Sequence, residues 1–382
     1  MKYLGVIDSL GAGGAERSNT DFWFYAREHR VEVKIAVFDR REHGTEKEVL
    51  AGGFEVVFLK GKGVWNHARQ LKLLIEAYEP DVVHSTLFKS NLRVRLAKLL
   101  GVRFTHVESL VNTTYDLARL NDPNVVRYKM EGYRLLDAVT MNLFTDRLHA
   151  ITQQVRQHYR KKLGVSDDRI TVIPRGRNFN PYRDSAIDTR KALEREFYIP
   201  AGTILFLSVG RQEFQKGHVY MLQALAELRQ SQRFTDFRWL LVGRQGHASK
   251  AIEDQVQKLD LGEHVILAGH RYDVEKILPA ADAYVFPSLY EGLGVALLEA
   301  QAAALPILCS DIPVFHETTT ENNALYFDPL DTGDFAEKLY QIATRPELRQ
   351  SMGRASLQNF TTRFQLERVH RDMLEYFLQF EG

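Results

Sequence analysis

The segment Pro287-Ser-Leu-Tyr-Glu291-Gly-Leu-Gly-Val-Ala-Leu-Leu-Glu299-Ala300 joins two patterns of different kind. Before it, Ala283-Tyr-Val-Phe286 is a short run of apolar residues, which predicts a buried parallel strand. After the turn at Gly292 and Gly294, residues 295–304 are rich in alanine and leucine, which predicts a helix. A helix that starts at the end of a strand presents free N–H groups and the positive end of its dipole. The segment therefore predicts an anion site, with phosphate as the expected occupant.

Glu291 and Glu299 are eight residues apart in this segment. On one helix they would lie about 12 Å apart along the axis, whereas the two carboxyl groups of a glycosidase flank one bond at roughly 5 to 9.5 Å. The spacing favours two separate roles: Glu299 accepts hydrogen bonds from neighbouring ribose hydroxyls, and Glu291 holds the hydroxyls of a transferred sugar. The plainer alternative is that Glu291 is a turn residue and Glu299 an exposed helix residue.

The spacing and its flanking residues resemble the E-x7-E motif of retaining glycosyltransferases of the GT4 family. The matching positions are Asp282, Pro287-Ser288, Glu291-Gly292, Leu298-Glu299-Ala300, Leu305-Pro306 and Glu317. The resemblance implies the GT-B fold, an α/β architecture of two Rossmann-like domains whose parallel sheets face each other across a cleft. It also implies a C-terminal helix that crosses back to the first domain, and a donor site that includes Gly292, Leu293, Gly294 and Val295.

Length and composition limit the class of protein. A chain of 382 residues exceeds the roughly 250 to 300 residues of a single core, so we expect two domains. Hydrophobic content of 45% and charged content of 26% are typical of a soluble globular protein. The single cysteine, Cys309, excludes an intramolecular disulfide and argues against a thiolate metal cluster, which fits a reducing cytoplasm. The first apolar run is too short for a signal peptide, and no run of about 18 apolar residues predicts a membrane span.

Charge is distributed unevenly along the chain. Residues 1–180 carry 29 Lys and Arg against 21 Asp and Glu, whereas the remainder carries 21 against 28. The first half is therefore expected to meet an anionic surface or acceptor, or alternatively to attract the second half. A nucleic-acid platform is not expected, because the basic residues are scattered and lack interleaved aromatic residues.

A helical pattern over residues 89–100 separates apolar from basic residues. Its leucines share one face and its basic residues lie elsewhere; they are Leu92, Leu96, Leu99 and Leu100, and Arg93, Arg95 and Lys98. Such a helix either lies on an acidic bilayer surface or packs its leucines on the core.

A glycine loop follows the first predicted strand, which covers Lys2 to Ile7. The loop Gly11-Ala-Gly-Gly-Ala-Glu-Arg17 opens a predicted helix, an arrangement typical of a phosphate cradle. A dinucleotide site is excluded because the third glycine of G-x-G-x-x-G would fall on Glu16. The G-G-A-E-R form resembles the first loop of GT4 enzymes, which implies that Gly13 approaches the acceptor and Gly14 the donor phosphate. A tight turn is the alternative.

Predicted strands and helices alternate after this loop, which indicates a parallel sheet with functional residues at the carboxyl ends of its strands. His84 ends one such strand, before a segment that resembles the family's H-S-x-L-F-x-S-N, and is expected to bind the acceptor. His106 and Glu108 end the next, where many relatives have a histidine that reaches the acceptor or the transferred sugar. Glu108 takes the place of that histidine. It is either a catalytic carboxylate that orients the acceptor hydroxyl, or an ordinary helix cap or salt bridge.

The second half begins after Ile170-Thr-Val-Ile-Pro-Arg-Gly176, which resembles the segment between the two domains of GT-B enzymes. Gly210-Arg211 follows a predicted strand and Lys216-Gly217 precedes a predicted helix, so two cations there suit a diphosphate leaving group. The match to the family motif G-R-x4-K-G assigns that catalytic role to both cations; surface ion pairs are the alternative. The junctions at Gly243 and at Gly269-His270-Arg271 resemble those that hold the nucleotide base in relatives, where uracil is the family-level expectation.

These patterns predict a retaining glycosyltransferase with an acceptor-binding domain over 1–175 and a nucleotide-sugar-binding domain over 176–365. A C-terminal helix over 366–382 is expected to pack on the first domain. The expected donor is a UDP-linked hexose or N-acetylhexosamine, and the expected acceptor is a glycan or a lipid-linked acceptor of cell-envelope or exopolysaccharide synthesis. The expected location is the cytoplasm, with peripheral contact at the inner face of the membrane.

No cofactor or metal is expected, because the sequence has no D-x-D triplet to hold one. The resemblance implies that the leaving phosphate helps to deprotonate the acceptor. Two other classes stay open: a GT-B epimerase or phosphorylase, and a non-catalytic binder of sugar nucleotides.

Overall fold

A computed structural model describes residues 1–41 and 43–382. They form two compact units, one made of Met1–Gly176 with Leu366–Gly382 and the other of Arg177–Gln365. Both units are built on a parallel sheet.

The first unit alternates strands and helices, as its sequence pattern predicts. Its described strands are β1 (Lys2–Ser9), β2 (Glu32–Asp39), β3 (Glu55–Phe58), β4 (Val82–Thr86), β5 (Thr105–Leu110), β6 (Arg147–Ala150) and β7 (Ile170–Val172). Its described helices before the last are α1 (Gly14–Glu28), α2 (Glu46–Ala51), α3 (Val64–Tyr78), α4 (Phe88–Leu99), α5 (Arg127–Phe144) and α6 (Gln153–Leu163). The sheet order is β3-β2-β1-β4-β5-β6-β7, with every neighbouring pair parallel.

The second unit repeats this construction with six strands. They are β8 (Ile204–Val209), β9 (Phe237–Val242), β10 (Val265–Gly269), β11 (Ala283–Phe286), β12 (Ile307–Ser310) and β13 (Ala324–Phe327). Its helices are α7 (Ala186–Glu196), α8 (His218–Gln230), α9 (Ser249–Lys258), α10 (Val274–Ile277), α11 (Val295–Ala302), α12 (Pro313–Thr318), α13 (Thr332–Thr344) and α14 (Pro346–Arg363). The sheet order is β10-β9-β8-β11-β12-β13. The strand numbers fall as far as β8 and then rise from β11, so the chain changes its direction of progress across the sheet between these two strands.

Both sheets are covered on their two faces, which explains the nearly continuous apolar character of their strands. In β8, Phe206 packs in one hydrophobic cluster while Leu205 and Leu207 pack in another. In β1, Leu4 enters one cluster and Tyr3 the other. Because successive side chains of a strand point to opposite faces, each sheet has a core on either side.

The last helix, α15 (Leu366–Leu378), belongs to the first unit although it follows the second in sequence. Its buried side chains recur at helical spacing, and Phe377 lies 5.4 Å from Phe22 of α1 between ring centroids. The predicted return of the C-terminal helix to the first domain is confirmed.

Helix α4 differs from its prediction. Its fully buried positions include Val94, Arg95 and Ala97, whereas Leu99 is half exposed. The leucines therefore do not form the core-facing stripe that was one of the two alternatives for this helix, since a charged arginine occupies part of the buried face. No helix in the described part of the chain is long and apolar enough to cross a membrane.

Candidate active site

The loops after β8 and β11 leave adjacent strands of the second sheet. Ala283 and Tyr284 of β11 pair with Phe206 and Leu207 of β8. The strand order reverses between these two strands, and the crevice at such a switch point is where open α/β sheets bind ligands. The predicted site residues of the second half gather around these loops.

Backbone contacts hold the two loops together. The amide of Leu289 donates to the carbonyl of Gln215 at 2.8 Å, and the side-chain amide of Gln215 donates to the carbonyl of Tyr290 at 2.7 Å. Gly217 has φ +65°, and a Cβ at this position would lie 1.9 Å from the carbonyl oxygen of Pro287. Only glycine allows this approach without a shift of backbone.

The contact brings together Lys216 and Glu291, which the sequence placed 75 residues apart. Lys216 Nζ lies 2.5 Å from Glu291 Oε1 and 4.8 Å from the ring centroid of Phe286, and both charged side chains are mostly buried. An ion pair with this shielding interacts more strongly than one in open solvent. A fixed cation and a carboxylate therefore share the crevice.

Glu299 lies in α11, while Glu291 lies in the loop before it. Its Oε1 accepts a hydrogen bond from Arg177 Nε at 2.9 Å. The helix starts at Val295 after Gly294, which caps it with φ +76°. The predicted glycine turn and helix are confirmed, and Arg177 is a partner of Glu299 that the sequence did not indicate.

Arg211 does not join Lys216 in the structure. Its side chain is 71% exposed and lies 3.9 Å from Glu213, a separation that contributes little at a protein surface. Within residues 1–41 and 43–382, no ion pair links Arg211 to Glu291. The predicted pair of cations is thus one shielded lysine and one solvent-exposed arginine.

Glycines end three successive strands beside these loops. A Cβ on Gly243 would lie 1.8 Å from the carbonyl oxygen of Gly210, and the Gly243 amide donates to the carbonyl of Gly269 at 2.8 Å. His270 is exposed and contacts the ring of Tyr272. Arg271 binds Asp273 through two hydrogen bonds of 2.8 Å, and these raise its pKa. Its guanidinium is committed to the carboxylates of Asp273 and Glu196, and the predicted contact of this region with a nucleotide base stays a prediction.

Several buried polar atoms at these strand ends find no hydrogen-bond partner in the described part of the chain. They are Gln212 Oε1, His218 Nδ1, Ser288 Oγ and Ser310 Oγ. Burial, followed by the charge of Lys216, lowers the pKa of His218 to about 3, so this ring is neutral near pH 7. Buried polar groups normally have partners, and their concentration here marks the crevice as polar. The only sequence signal for them is a polar residue placed next to a buried strand end or a helix start.

The predicted acceptor histidines of the first unit are buried inside strands. His84 lies within β4 and His106 within β5, because both strands continue past the predicted ends. A hydrogen bond of 2.7 Å joins His84 Nε2 and Ser109 Oγ, and His106 Nδ1 lies 3.2 Å from the carbonyl oxygen of Phe144. Burial lowers the pKa of His84, and it lowers that of His106 to about 4. Both rings are thus enclosed by protein in this structure, and their predicted contact with an acceptor stays a prediction.

Glu108 is also buried, in an ion pair with Arg95. Two hydrogen bonds of 2.6 and 2.5 Å join the guanidinium to the carboxylate, and Arg95 also binds Asp137 at 2.6 Å. Burial alone would raise the pKa of Glu108, but Arg95 outweighs it and holds that pKa below its ordinary value. The salt bridge, one of the alternatives that the sequence left open for Glu108, is present in the structure, and contact of Glu108 with the acceptor stays a prediction.

Gly13 and Gly14 lie at the exposed start of α1, where Gly13 is the residue before the first helical turn. Their contacts with acceptor and donor stay predictions. Among residues 1–41 and 43–382, no group of three or more His, Cys, Asp and Glu side chains is placed to hold a metal ion.

Two family models match the chain, one over each unit. The model described as Glycosyltransferase Family 4 matches residues 12–180, and the model described as Glycosyl transferases group 1 matches residues 189–358. The chain belongs to the family 4 glycosyltransferases. The family inferred from the sequence is confirmed.

Curated relatives of this family 4 glycosyltransferase include two enzymes named for sugar transfer. The UDP-Gal:alpha-D-GlcNAc-diphosphoundecaprenol alpha-1,3-galactosyltransferase of Escherichia coli is 28% identical over 251 residues, which are 64% of this chain and 62% of the relative. The O-antigen chain mannosyltransferase RfbU of Salmonella typhimurium is 26% identical over 292 residues, 70% of this chain and 76% of that one.

A solved structure of Anabaena HepE in complex with UDP-glucose superposes with a TM-score of 0.85 at 17% identity. The match covers 99% of this chain and 100% of the HepE chain. This structural similarity, together with the two parallel sheets, identifies the GT-B fold.

Proposed function

We propose that this glycosyltransferase moves a hexosyl or N-acetylhexosaminyl unit from a UDP-linked donor to a glycan or lipid-linked acceptor, with retention of anomeric configuration. The acceptor would belong to cell-envelope or exopolysaccharide synthesis. The observation that carries the proposal is the 2.5 Å contact between Lys216 and Glu291 at the β8/β11 switch point.

Lys216 is suited to stabilise a diphosphate leaving group. Negative charge on the phosphate oxygens grows as the bond to the anomeric carbon breaks, and a fixed cation in a shielded crevice lowers the energy of that state. The N–H groups at the start of α11 add a second positive field beside it. The exposed Arg211 would reach the diphosphate only after its side chain reorients.

The two glutamates would bind the transferred sugar and the ribose of the donor. Glu291 in the loop would accept hydrogen bonds from hydroxyls of the transferred sugar, and Glu299 in α11 would accept them from the ribose. Arg177 fixes one oxygen of Glu299 and so orients the carboxylate. Recognition of the uracil base would fall to the backbone near Gly243 and Gly269.

The proposed transfer forms no covalent intermediate with the enzyme. The bond between the anomeric carbon and the diphosphate oxygen breaks, UDP leaves, and the acceptor oxygen bonds to the same face of the carbon. The acceptor proton passes to the leaving phosphate. Lys216 supplies positive charge at the phosphate in this scheme, and we propose that transfer does not require a metal.

The relatives support this choice of donor and acceptor. The name of the Escherichia coli relative specifies a UDP-linked galactose and a diphosphoundecaprenol-linked sugar, and HepE was solved with UDP-glucose. A relative of similar distance is named as a mannosyltransferase of O-antigen chains, and GDP-mannose is therefore included in the ligand panel.

A ligand panel followed by a transfer assay tests the proposal. We expect UDP and a UDP-sugar to raise the melting temperature more than GDP and GDP-mannose, because binding to the native state adds about 2.7 kcal/mol at 100-fold excess over the dissociation constant. Mass spectrometry should then show one hexose or N-acetylhexosamine added to a polyprenyl-diphosphate-linked sugar in the presence of EDTA. Sugar release that requires inorganic phosphate would instead identify a phosphorylase, and interconversion of the donor without an acceptor would identify an epimerase.

A further inference from the structure

Helix α5 buries Asp137 and Thr140 beside two methionines and exposes several large apolar side chains, which is unusual for a surface helix. Of the nineteen large apolar side chains exposed in the described residues, seven lie between 126 and 143. Five of them fall within an arc of about 100° around the helix at 3.6 residues per turn. We call these five the α5 face: Tyr128, Leu135, Leu136, Val139 and Leu143. Tyr128 and Leu143, near its two ends, are 74% and 67% exposed.

Buried contacts fix this face outward. Asp137 binds Arg95 at 2.6 Å with one oxygen and the hydroxyl of Tyr115 at 2.7 Å with the other. Arg95 also donates to Thr140 of α5 at 2.9 Å. Rotation of the helix to hide its leucines would break these contacts and leave charges buried without partners, which is strongly unfavourable.

Basic residues of the neighbouring helices bracket the α5 face. On one side, Phe88 of α4 packs against Tyr133 of α5 with ring centroids 5.6 Å apart, next to the exposed Lys89. On the other side, Arg134 donates to the carbonyl of Lys162 in α6 at 2.8 Å, next to the exposed Lys161. The apolar face therefore lies between two positively charged edges.

The same region holds the basic surplus of the first half. Residues 88–164 contain fourteen Lys and Arg against six Asp and Glu, a net charge of +8 that equals the whole surplus of residues 1–180. Arg127 and Lys129 in the first turn of α5 are exposed, and neither has an ion pair within the described residues. The exposed acid of the helix, Glu131, pairs with Arg134 at 2.7 Å.

We propose that the α5 face docks this protein on a bilayer surface that contains anionic lipids. An apolar face with exposed tyrosine and flanking cations suits the boundary between headgroups and acyl chains. A symmetric dimer through the same face would bring each basic surplus against its own copy, which disfavours self-association. The α5 face is a different surface from residues 89–100, for which the sequence left open either membrane contact or packing on the core.

Docking at this face would deepen the proposed function by bringing the enzyme to a lipid-linked acceptor. That consequence rests on the proposed function, whereas binding of the α5 face to a bilayer does not. Binding to vesicles that contain no acceptor tests the surface alone. The melting-temperature shift with UDP tests the donor site independently, so failure of one is distinguishable from failure of the other.

Co-sedimentation of the full chain with vesicles tests the proposal. We expect binding to phosphatidylcholine vesicles that contain phosphatidylglycerol, weaker binding at high salt, and little binding to phosphatidylcholine alone. Leu135→Gln/Val139→Gln/Leu143→Gln should lower the partition coefficient on the order of a hundredfold, because each half-inserted apolar side chain contributes about fivefold. Arg127→Gln and Lys129→Gln should each lower it by about fivefold.

A matched control changes three other exposed apolar residues, Leu73→Gln/Ile187→Gln/Leu330→Gln, and should bind vesicles as the unmodified chain does. All variants should keep their circular dichroism spectrum and their response to UDP, since the altered side chains are exposed. The proposal is overturned if the unmodified chain stays unbound to anionic vesicles at low salt, or if the α5 triple variant binds as well as the control. A concentration-dependent dimer that the triple variant abolishes, without vesicle binding, would assign the face to a second copy instead.

Discussion

Replacement of Glu108 by alanine separates a structural role of this carboxylate from a catalytic one. Glu108 and Arg95 are both fully buried and share two short hydrogen bonds. Loss of one partner of a buried ion pair costs roughly 3 to 5 kcal/mol because the remaining charge stays desolvated. Asp137 still binds Arg95 at 2.6 Å, so we expect a loss near the lower end, about 3 kcal/mol. In a unit of this size, that corresponds to a decrease in melting temperature of about 6 to 12 °C.

The assay combines thermal unfolding with transfer kinetics measured well below the melting temperature. We expect kcat/KM of the folded Glu108→Ala enzyme to stay within about fivefold of that of the unmodified enzyme, which corresponds to a change in activation free energy of about 1 kcal/mol or less. Glu337→Ala is the matched control: it removes an exposed carboxylate 2.8 Å from Arg233, and such pairs contribute about 1 kcal/mol or less. An unchanged melting temperature together with a hundredfold lower kcat would refute the structural role and restore the catalytic one.

Three further predictions concern the donor site and the response to acid. Arg177→Ala should raise the KM for the donor about tenfold with little change in kcat, because Glu299 loses a charge-assisted hydrogen bond; unchanged or tighter donor binding would contradict this. Gly217→Ala should lower activity by more than Gly164→Ala in a transfer assay, because both residues have positive φ but only the first has a backbone oxygen within 2 Å of the added Cβ. Burial lowers the pKa of His149 to about 3, so as pH falls below 6.5 the unfolded chain binds a proton that the folded chain excludes, and stability falls. His149→Gln should flatten the dependence of unfolding free energy on pH by up to about 1.4 kcal/mol per unit between pH 6 and 4, as measured by urea titration; an equally steep dependence would count against this burial effect.

The strands and helices of this fold could be predicted because apolar runs and glycine turns encode them locally. The segment around Glu291 is an example: the strand Ala283–Phe286 and the start of α11 at Val295 lie where the sequence indicates. The family motifs assign Lys216 and Glu291 to one donor site without predicting that they touch, and the structure brings them together through the hydrogen bonds between the two loops.

The polar interior of the first unit could not be predicted from the sequence. His84, His106 and Glu108 lie in strands that are buried on both faces, so no alternation of polar and apolar residues marks which side chains reach solvent. Their burial depends on partners far along the chain, such as Arg95 for Glu108 and Ser109 for His84. A polar residue near a strand end therefore has the same local sequence signature whether it binds a substrate or a buried partner.

Helix α5 was missed as a membrane candidate for a related reason. A helix with one apolar and one polar face is ordinarily assumed to bury the apolar one. In α5 the buried ion pair of Asp137 with Arg95 decides the orientation, and Leu135 and Val139 face outward as a consequence. Only the tertiary contact shows which face is inside.

The most direct test of the proposed chemistry is the rate and stereochemistry of transfer in Lys216→Ala and Glu291→Gln variants, compared with the unmodified enzyme. Nuclear magnetic resonance of the product should show the anomeric configuration of the donor retained. Lys216→Ala should lower kcat about 10² to 10³-fold while UDP still raises the melting temperature, because its charge acts mainly on the developing phosphate. Glu291→Gln should lower kcat/KM for the donor through weaker contacts to the sugar. Full activity in both variants, or a product of inverted configuration, would contradict the proposed roles of the pair.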